Sequence, residues 1–319
     1  MTFTLLPNWT SEHTTKFRRE VLVAPHRLRD SGLFERSKLE ELLNDYPLED
    51  LGISTMGTDP SRPSDWASGE PGSLNGAELM EAVQRGRLWL NLRRVTHNCK
   101  VIGELVDQLY GELESHCRNL QTFNHSANLL ISSPSAIVYY HMDCPFNMLW
   151  HITGTKRVWA YPTDEECLPV LTREDVLSGD STEEIPYTPS LDDRATIIDL
   201  EPDQLVTWPL HSPHRVVNTS GINVSLSTEH YTKEALRTNN VLLANRYFRK
   251  WNRRWAESTE TSGLSASLKE AAIRLVRRIP PLAPKSSGKN IYPKSFIVDL
   301  DAENCVRFTN EATNELSAV

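Results

Sequence analysis

Between about Ser126 and Tyr231 the chain is written in short β-rich runs: ANLLIS, AIVYYH, KRVWAY, ATIIDL, QLVTWP, HRVVN and INVSLST, separated by Pro, Gly, Asn and Asp. This texture constrains the fold more than any other feature. β-branched and aromatic residues suit a pleated, half-buried surface, and turn residues at such close intervals leave no room for long helices. Many short strands of this kind pack face to face or close on themselves, so a sandwich or barrel is expected.

The flanks read differently. Ser37 and Glu40 form a capping-box pattern ahead of Leu39, Leu42 and Leu43, with Pro47 beyond, and a second helix is expected from Asn75 to Gly86. A third is expected near 98–116, where Val101, Ile102, Leu105, Val106, Leu109 and Leu113 recur on one apolar face. The stretch 57–76, rich in Gly, Pro and Ser, reads as a surface loop. After Tyr231 the chain turns basic and helical. In YFRKWNRRW, Phe248, Trp251 and Trp255 are expected to pack inward beneath a solvated Arg face, a second amphipathic stretch surrounds Leu268, Ile273, Leu275 and Val276, and FIVDL reads as a short strand. The expected organisation is an N-terminal helical region 1–120, a β core 121–232 and a C-terminal helical extension 233–319.

A hydrophobic share of 39% and a charged share of 24% over 319 residues describe a folded globular chain with a sizeable core. The net charge of -8 argues against coating a nucleic-acid backbone, because that affinity rests on neutralising phosphates. No segment approaches the roughly 20 apolar residues that span a bilayer, and MTFTLLPNWTSEH lacks the basic start and apolar core of a signal peptide. A cytoplasmic protein is expected. Five scattered cysteines, none in a C-x-x-C pair, suggest free thiols.

The chemistry-bearing segment is Tyr140-His141-Met142-Asp143. Alternate residues of a strand share a face, so His141 and Asp143 can ligate one metal. A third ligand comes from WPLHSPHRVVN. There His214 is favoured over His211, because it precedes a β-branched run while His211 lies in the proline-bounded turn. Two histidines and a carboxylate with open positions make the facial triad of non-haem Fe(II) oxygenases; a bidentate 2-oxo acid can take two positions and dioxygen the last.

The stretch YYHMDCPFNMLWHITGTKRVWAYP resembles the JmjC-type, cupin-fold branch of the Fe(II)- and 2-oxoglutarate-dependent oxygenases. There a His-x-Asp pair is followed by an Asn, a Gly-x-Lys and an aromatic strand ending in Tyr-Pro; here these are Asn147, Gly154-Thr155-Lys156, Trp159 and Tyr161-Pro162. LEPDQLVTWPLHSPHRVVNTSGINVSLSTEHY is similar to the second signature, with His214 as the distal ligand and Asn218 four residues on. The resemblance implies a double-stranded β-helix core and a charge-assisted contact from Lys156 to the far carboxylate of 2-oxoglutarate. It further implies co-substrate contacts from Asn147, Asn128 and Ser227. Val138 stands where relatives often place a Thr hydroxyl, which Tyr139 or Tyr140 would have to replace. Lys156 read by itself is a solvated strand lysine, His151 an outer-face or pocket-lining residue, and Trp150, Trp159 and Trp208 core aromatics.

The expected activity is hydroxylation of a small molecule or amino acid, coupled to conversion of 2-oxoglutarate to succinate. The alternatives are a JmjC-type protein hydroxylase or methyl-lysine demethylase, a cupin dioxygenase that uses no 2-oxo acid, and a non-catalytic cupin-fold binding module. C-terminal helices pair two subunits in some relatives, which makes a homodimer an option here.

Overall fold

The structure, a computed structural model, describes residues 3–249, 252–279 and 292–309. Its strands are β1 (Leu22–Pro25), β2 (Leu51–Thr55), β3 (Ala67–Glu70), β4 (Leu88–Leu92), β5 (Phe123–Ser132) and β6 (Ile137–His141), followed by β7 (Phe146–Ala160), β8 (Thr196–Leu200), β9 (Gln204–Thr207), β10 (His214–Tyr231), β11 (Lys294–Val298) and β12 (Val306–Phe308). They pair in the order β1-β9-β7-β10-β5-β4-β2-β3-β11-β12, with β6 added to β10 and β8 to β7.

Two long antiparallel strands organise the core. β7 pairs through its first half with β9 and through its second half with β8, while β10 begins beside β6 and ends beside β5. Each therefore bends from one sheet of a double-stranded β-helix into the other. The expected runs HRVVN and INVSLST are halves of the single strand β10, joined where the register slips around residues 218–224, and KRVWAY begins within β7, whose first half was not among the expected strands. Gly154 has φ +81°, and a Cβ there would lie 2.7 Å from both Asn223 Nδ2 and Ile222 O. Only glycine fits that close approach at positive φ. The slip also switches parity: His214, Val216 and Asn218 face the interior before it, and Ser227, Glu229 and Tyr231 after it.

The helix expected at Asn75–Gly86 runs from Gly76 to Arg85, with Asn75 and Glu78 forming a reciprocal capping box. The helix expected near 98–116 is broken at Cys99, which is extended, into Val95–Asn98 and Lys100–His116. The longer piece buries Ile102, Leu105, Val106, Leu109, Tyr110 and Leu113, each contributing roughly 1.5–3 kcal/mol of burial free energy.

Three expectations need correction. The Ser37–Glu40 box does not form: the helix Arg36–Asn44 starts two residues earlier than that box requires, with Glu35 as its extended N-cap, so Ser37 already lies in the first turn. The first third is not only helical, since β1 to β4 lie in it, and β3 lies within the supposed 57–76 loop. The C-terminal extension is not only helical either. After the helices Lys233–Phe248, Arg253–Glu257 and Gly263–Val276, β11 returns to pair in parallel with β3. Phe296 of β11 covers Gly69, so segments far apart in sequence complete one sheet.

Helix Lys233–Phe248 packs against Val170–Ser178 and Gly263–Val276. Phe248 lies tilted against Trp255 with centroids 5.6 Å apart, and Trp251 lies outside the described residues. On the last of these helices Leu264, Leu268 and Leu275 are exposed. Among the described residues no helix is long and apolar enough to cross a membrane. None of the five cysteines forms a disulfide.

Candidate metal centre and its cavity

His141 ends β6, His214 begins β10, and the two are direct cross-strand partners. Side chains so paired share a face, and their ring centroids lie 4.0 Å apart. Asp143, expected on the strand with His141, lies two residues past the strand end, in a turn held by the bond from Met142 N–H to Glu183 O. Its carboxylate reaches back, with Oδ1 3.9 Å from His141 Nε2 and Oδ2 3.5 Å from His214 Nε2. One donor atom from each of the three residues falls within 4.8 Å of the others.

Hydrogen bonding decides which nitrogens face this point. His141 Nδ1 lies 2.8 Å from Tyr139 O, and His214 Nδ1 lies 3.2 Å from Ser212 O. A carbonyl can only accept, so each Nδ1 carries a proton and each Nε2 is the nitrogen turned toward Asp143, the one that can offer a lone pair to a metal. Burial, and next the neighbouring His141, hold the His214 pKa well below the usual imidazole range, while burial raises that of Asp143. Asp143 Oδ2 is buried with no hydrogen-bond partner. Two imidazole Nε2 atoms and a carboxylate with an unspent oxygen suit a divalent cation, whose charge inverts the local pKa logic.

The backbone around the three residues is tied down. Tyr161 N–H donates to Pro213 O, Ser212 Oγ donates to Tyr161 O, and Trp208 lies against the His214 ring at 4.1 Å between centroids. His211 stays in the turn at φ +65°, buried near Asn239 and the Cys144 backbone and outside the donor cluster. Asn239 Nδ2 donates to Cys144 O, next to Asp143.

All eight expected site residues line one cavity of about 520 Å³: His141, Asp143 and His214 together with Lys156, Asn147, Asn128, Ser227 and Tyr139. Lys156 is only 5% exposed, which excludes the solvated-lysine reading. Nζ donates to Ser225 Oγ at 2.9 Å, and among the described residues no carboxylate lies within ion-pairing distance of it. Burial pushes its pKa down to about 7. Asn147 Nδ2 donates to Ser227 Oγ, Asn128 Oδ1 accepts the Arg94 N–H, and Tyr139 Oη accepts the Gly57 N–H, which leaves the phenol proton to give. Tyr140 points elsewhere, its hydroxyl bonded to Cys167 O. Of the two tyrosines weighed against Val138, only Tyr139 lines the cavity.

Asn218, at the matching motif position, also lines the cavity, but its Nδ2 is engaged by Ser132 Oγ and Ser133 O. His151 is neither outer-face nor cavity-lining: it is fully buried, with its ring bonded to Ser225 Oγ and Gly154 O. Trp150 is core, as expected. Trp159 stacks under the Arg215 guanidinium at 3.4 Å, and Trp208 joins the cavity wall. The outer cavity is built by Trp66, Trp89, Asn91, Arg93, Arg94 and Glu184. Sequence reasoning missed these, because they sit on β4 or on loops and no local pattern announces them.

No family model matches the chain, and no curated protein is significantly similar to it in sequence. Solved structures share the fold. That of YcfD from Escherichia coli superposes with a TM-score of 0.51 at 12% identity, covering 88% of this chain and 69% of that one. A second structure of YcfD, described as a ribosomal oxygenase in complex with cobalt and 2-oxoglutarate, gives a TM-score of 0.49 at 12% identity, again over 88% and 69% of the two chains.

Proposed function

We propose that this chain, which shares its double-stranded β-helix fold with YcfD, is an Fe(II)- and 2-oxoglutarate-dependent oxygenase. One observation carries the reading. The Nε2 atoms of His141 and His214, left uncommitted by the carbonyl bonds at Nδ1, converge on the Asp143 carboxylate, in the same cavity as a buried lysine with no carboxylate partner among the described residues. Three donors that leave coordination positions open, beside a cationic anchor, suit a metal that shares a bidentate 2-oxo acid with the protein. A metal-free cupin scaffold needs none of this, and a dioxygenase without a 2-oxo acid has no use for Lys156.

In this reading His141, Asp143 and His214 hold Fe(II), and Lys156 pairs with the distal carboxylate of 2-oxoglutarate. Tyr139 offers its phenol proton, and Asn147 and Ser227, already bonded to each other, form the opposite polar wall. Bound at this site, iron with 2-oxoglutarate and dioxygen supplies oxidation of a substrate C–H bond coupled to decarboxylation to succinate. The chain's own work is to hold, orient and exclude water: Val138, Leu149, Trp208 and Val216 give the cavity apolar walls between the polar groups.

The substrate favoured is a residue on a protein, which makes the chain a protein hydroxylase. Its fold neighbour is described as a ribosomal oxygenase, and nothing comparable speaks for the small molecule expected from sequence. Trp66, Trp89 and Arg94 line the same cavity and are spent on neither the metal nor the co-substrate in this reading.

The test is anaerobic titration of the Fe(II)-loaded protein with 2-oxoglutarate, followed by the visible metal-to-ligand charge-transfer band. The band is expected in wild type and absent in His214→Ala. Iron binding without a band moves the chain to another cupin chemistry, and no iron binding makes it a non-catalytic module.

A further inference from the structure

We infer that His151 and Ser225 are positioning residues for Lys156, aiming its ammonium into the cavity and so setting the preference for a 2-oxo acid with a second carboxylate. The inference rests on the oxygenase reading and concerns residues with no part in metal ligation.

The three side chains meet because of the bend in the two long strands. On the first half of β7, His151 shares a face with the cavity-lining Asn147 and Leu149. Beyond the Gly154 bend the inward parity changes and Lys156 faces the same interior. Ser225 is the cross-strand partner of His151 and lies two residues before Ser227 on the inner face of β10.

The hydrogen bonds among them have a forced direction. His151 Nε2 lies 2.9 Å from Gly154 O, so that nitrogen carries the proton. Nδ1, 2.9 Å from Ser225 Oγ, is therefore an acceptor, and the serine hydroxyl must donate to it. With its proton committed, Ser225 Oγ presents only lone pairs to Lys156 Nζ, a pure donor at 2.9 Å. The chain runs one way, from Lys156 through Ser225 and His151 to the Gly154 carbonyl. The opposite imidazole tautomer would set a lone pair against the Gly154 carbonyl and leave a buried acceptor unpaired, at a cost that disfavours it.

The surroundings hold the ring in this state. His151 is fully buried, and its carbonyl accepts from the His26 ring at 3.0 Å. Burial, reinforced by the charge of Lys156, pushes the His151 pKa down to about 3, so the imidazole stays neutral beside the ammonium. Ser225 takes one of three ammonium protons along a fixed direction, and the carboxylate that answers the remainder must come from the cavity, since none of the chain's own does so among the described residues. A fixed donor loses less entropy when it pairs than a mobile one, which is how such an arrangement adds affinity.

The test compares two ligands on the Fe(II)-loaded protein without oxygen, read by the charge-transfer band. The ligands are 2-oxoglutarate and 2-oxopentanoate, which chelates identically but lacks the far carboxylate. In His151→Phe and Ser225→Ala, 2-oxoglutarate should bind about tenfold more weakly while 2-oxopentanoate and iron affinities stay at the wild-type level. His151→Gln, which can accept from Ser225 and donate to Gly154, should recover most of the loss. Equal weakening of both acids would show that His151 and Ser225 only support the fold, and no change in either would remove them from the site; both results overturn the inference. If His151→Phe does not fold, Ser225→Ala and His151→Gln carry the same comparison. A wild type that binds iron but gives no band with either acid overturns the oxygenase reading instead, and this inference with it.

Discussion

Replacing Lys156 by Met tests the energetic claim at the centre of the site: the lysine is kept at the expense of stability. Its pKa falls from 10.5 to about 7 through burial alone. At roughly 1.4 kcal/mol per unit, the ammonium burdens the native state by at most about 5 kcal/mol near neutral pH. Relaxation and water in the cavity reduce this, and Met forfeits the bond to Ser225, worth roughly 0.5–1.5 kcal/mol, so a net gain of about 1–3 kcal/mol is expected. For a chain of this size that raises the melting temperature by about 2–6 °C. The gain has a pH signature. Between about 7 and 10.5 the unfolded chain holds a proton that the native lysine has lost, so wild-type stability rises with pH across that window. The advantage of Lys156→Met is therefore full below the native pKa and shrinks as pH climbs toward the unfolded value. Thermal melts of metal-free wild type and variant at three pH values across the window measure it, and 2-oxoglutarate binding should be lost in parallel. A variant less stable than wild type at every pH, with a constant deficit, would refute the claim that the buried ammonium strains the fold.

The same lysine predicts that 2-oxoglutarate binding takes up a proton above neutrality: as the protonated fraction falls beyond about pH 7, apparent affinity should drop about tenfold between pH 8 and 9, and calorimetry in buffers of different ionisation enthalpy should register the uptake. A pH-independent affinity counts against Lys156 as the anchor. Gly154→Ala should cost about 2–4 kcal/mol, from the left-handed backbone and the contacts its Cβ makes with Asn223 and Ile222, seen as a lower urea midpoint at unchanged slope. Asp192→Asn should cost about 1–3 kcal/mol by unpairing the buried Arg215, with which Asp192 forms an ion pair exposed only on its own side. Burial alone would raise the Asp192 pKa, but bonds from Arg215, Tyr161 and Tyr187 hold it below the usual range. The stability it contributes is therefore present at neutral pH and lost as pH falls through that depressed value, so the difference from wild type should vanish in acid melts.

Local pattern carried much of this protein. Strand texture from Ser126 onward announced the β core, and residue types at fixed spacing put His141, Asp143 and His214 in one proposed site, because strand periodicity and turn chemistry act over a few residues, while Lys156 entered only through the family resemblance. The helix expected from Asn75 to Gly86 is local in the same way: its cap, Asn75, and the cap's partner, Glu78, are three residues apart. What sequence did not disclose depends on residues that meet only after folding. β3 hides in a Gly- and Pro-rich stretch because it is stabilised by β2 and by β11, more than two hundred residues later, rather than by its own propensity. Sequence favoured His214 over His211 from the β-branched run that follows it, but the meeting itself is tertiary: the cross-strand pairing with His141 and the bond to Ser212 O bring His214 to the donor cluster, and His211 stays in the turn. The burial of Lys156, the direction of the His151–Ser225 chain and the walls around Trp66 and Trp89 are likewise tertiary. Hydrogen-bond direction and desolvation belong to sets of groups brought together in space, and no window along the chain contains the whole set.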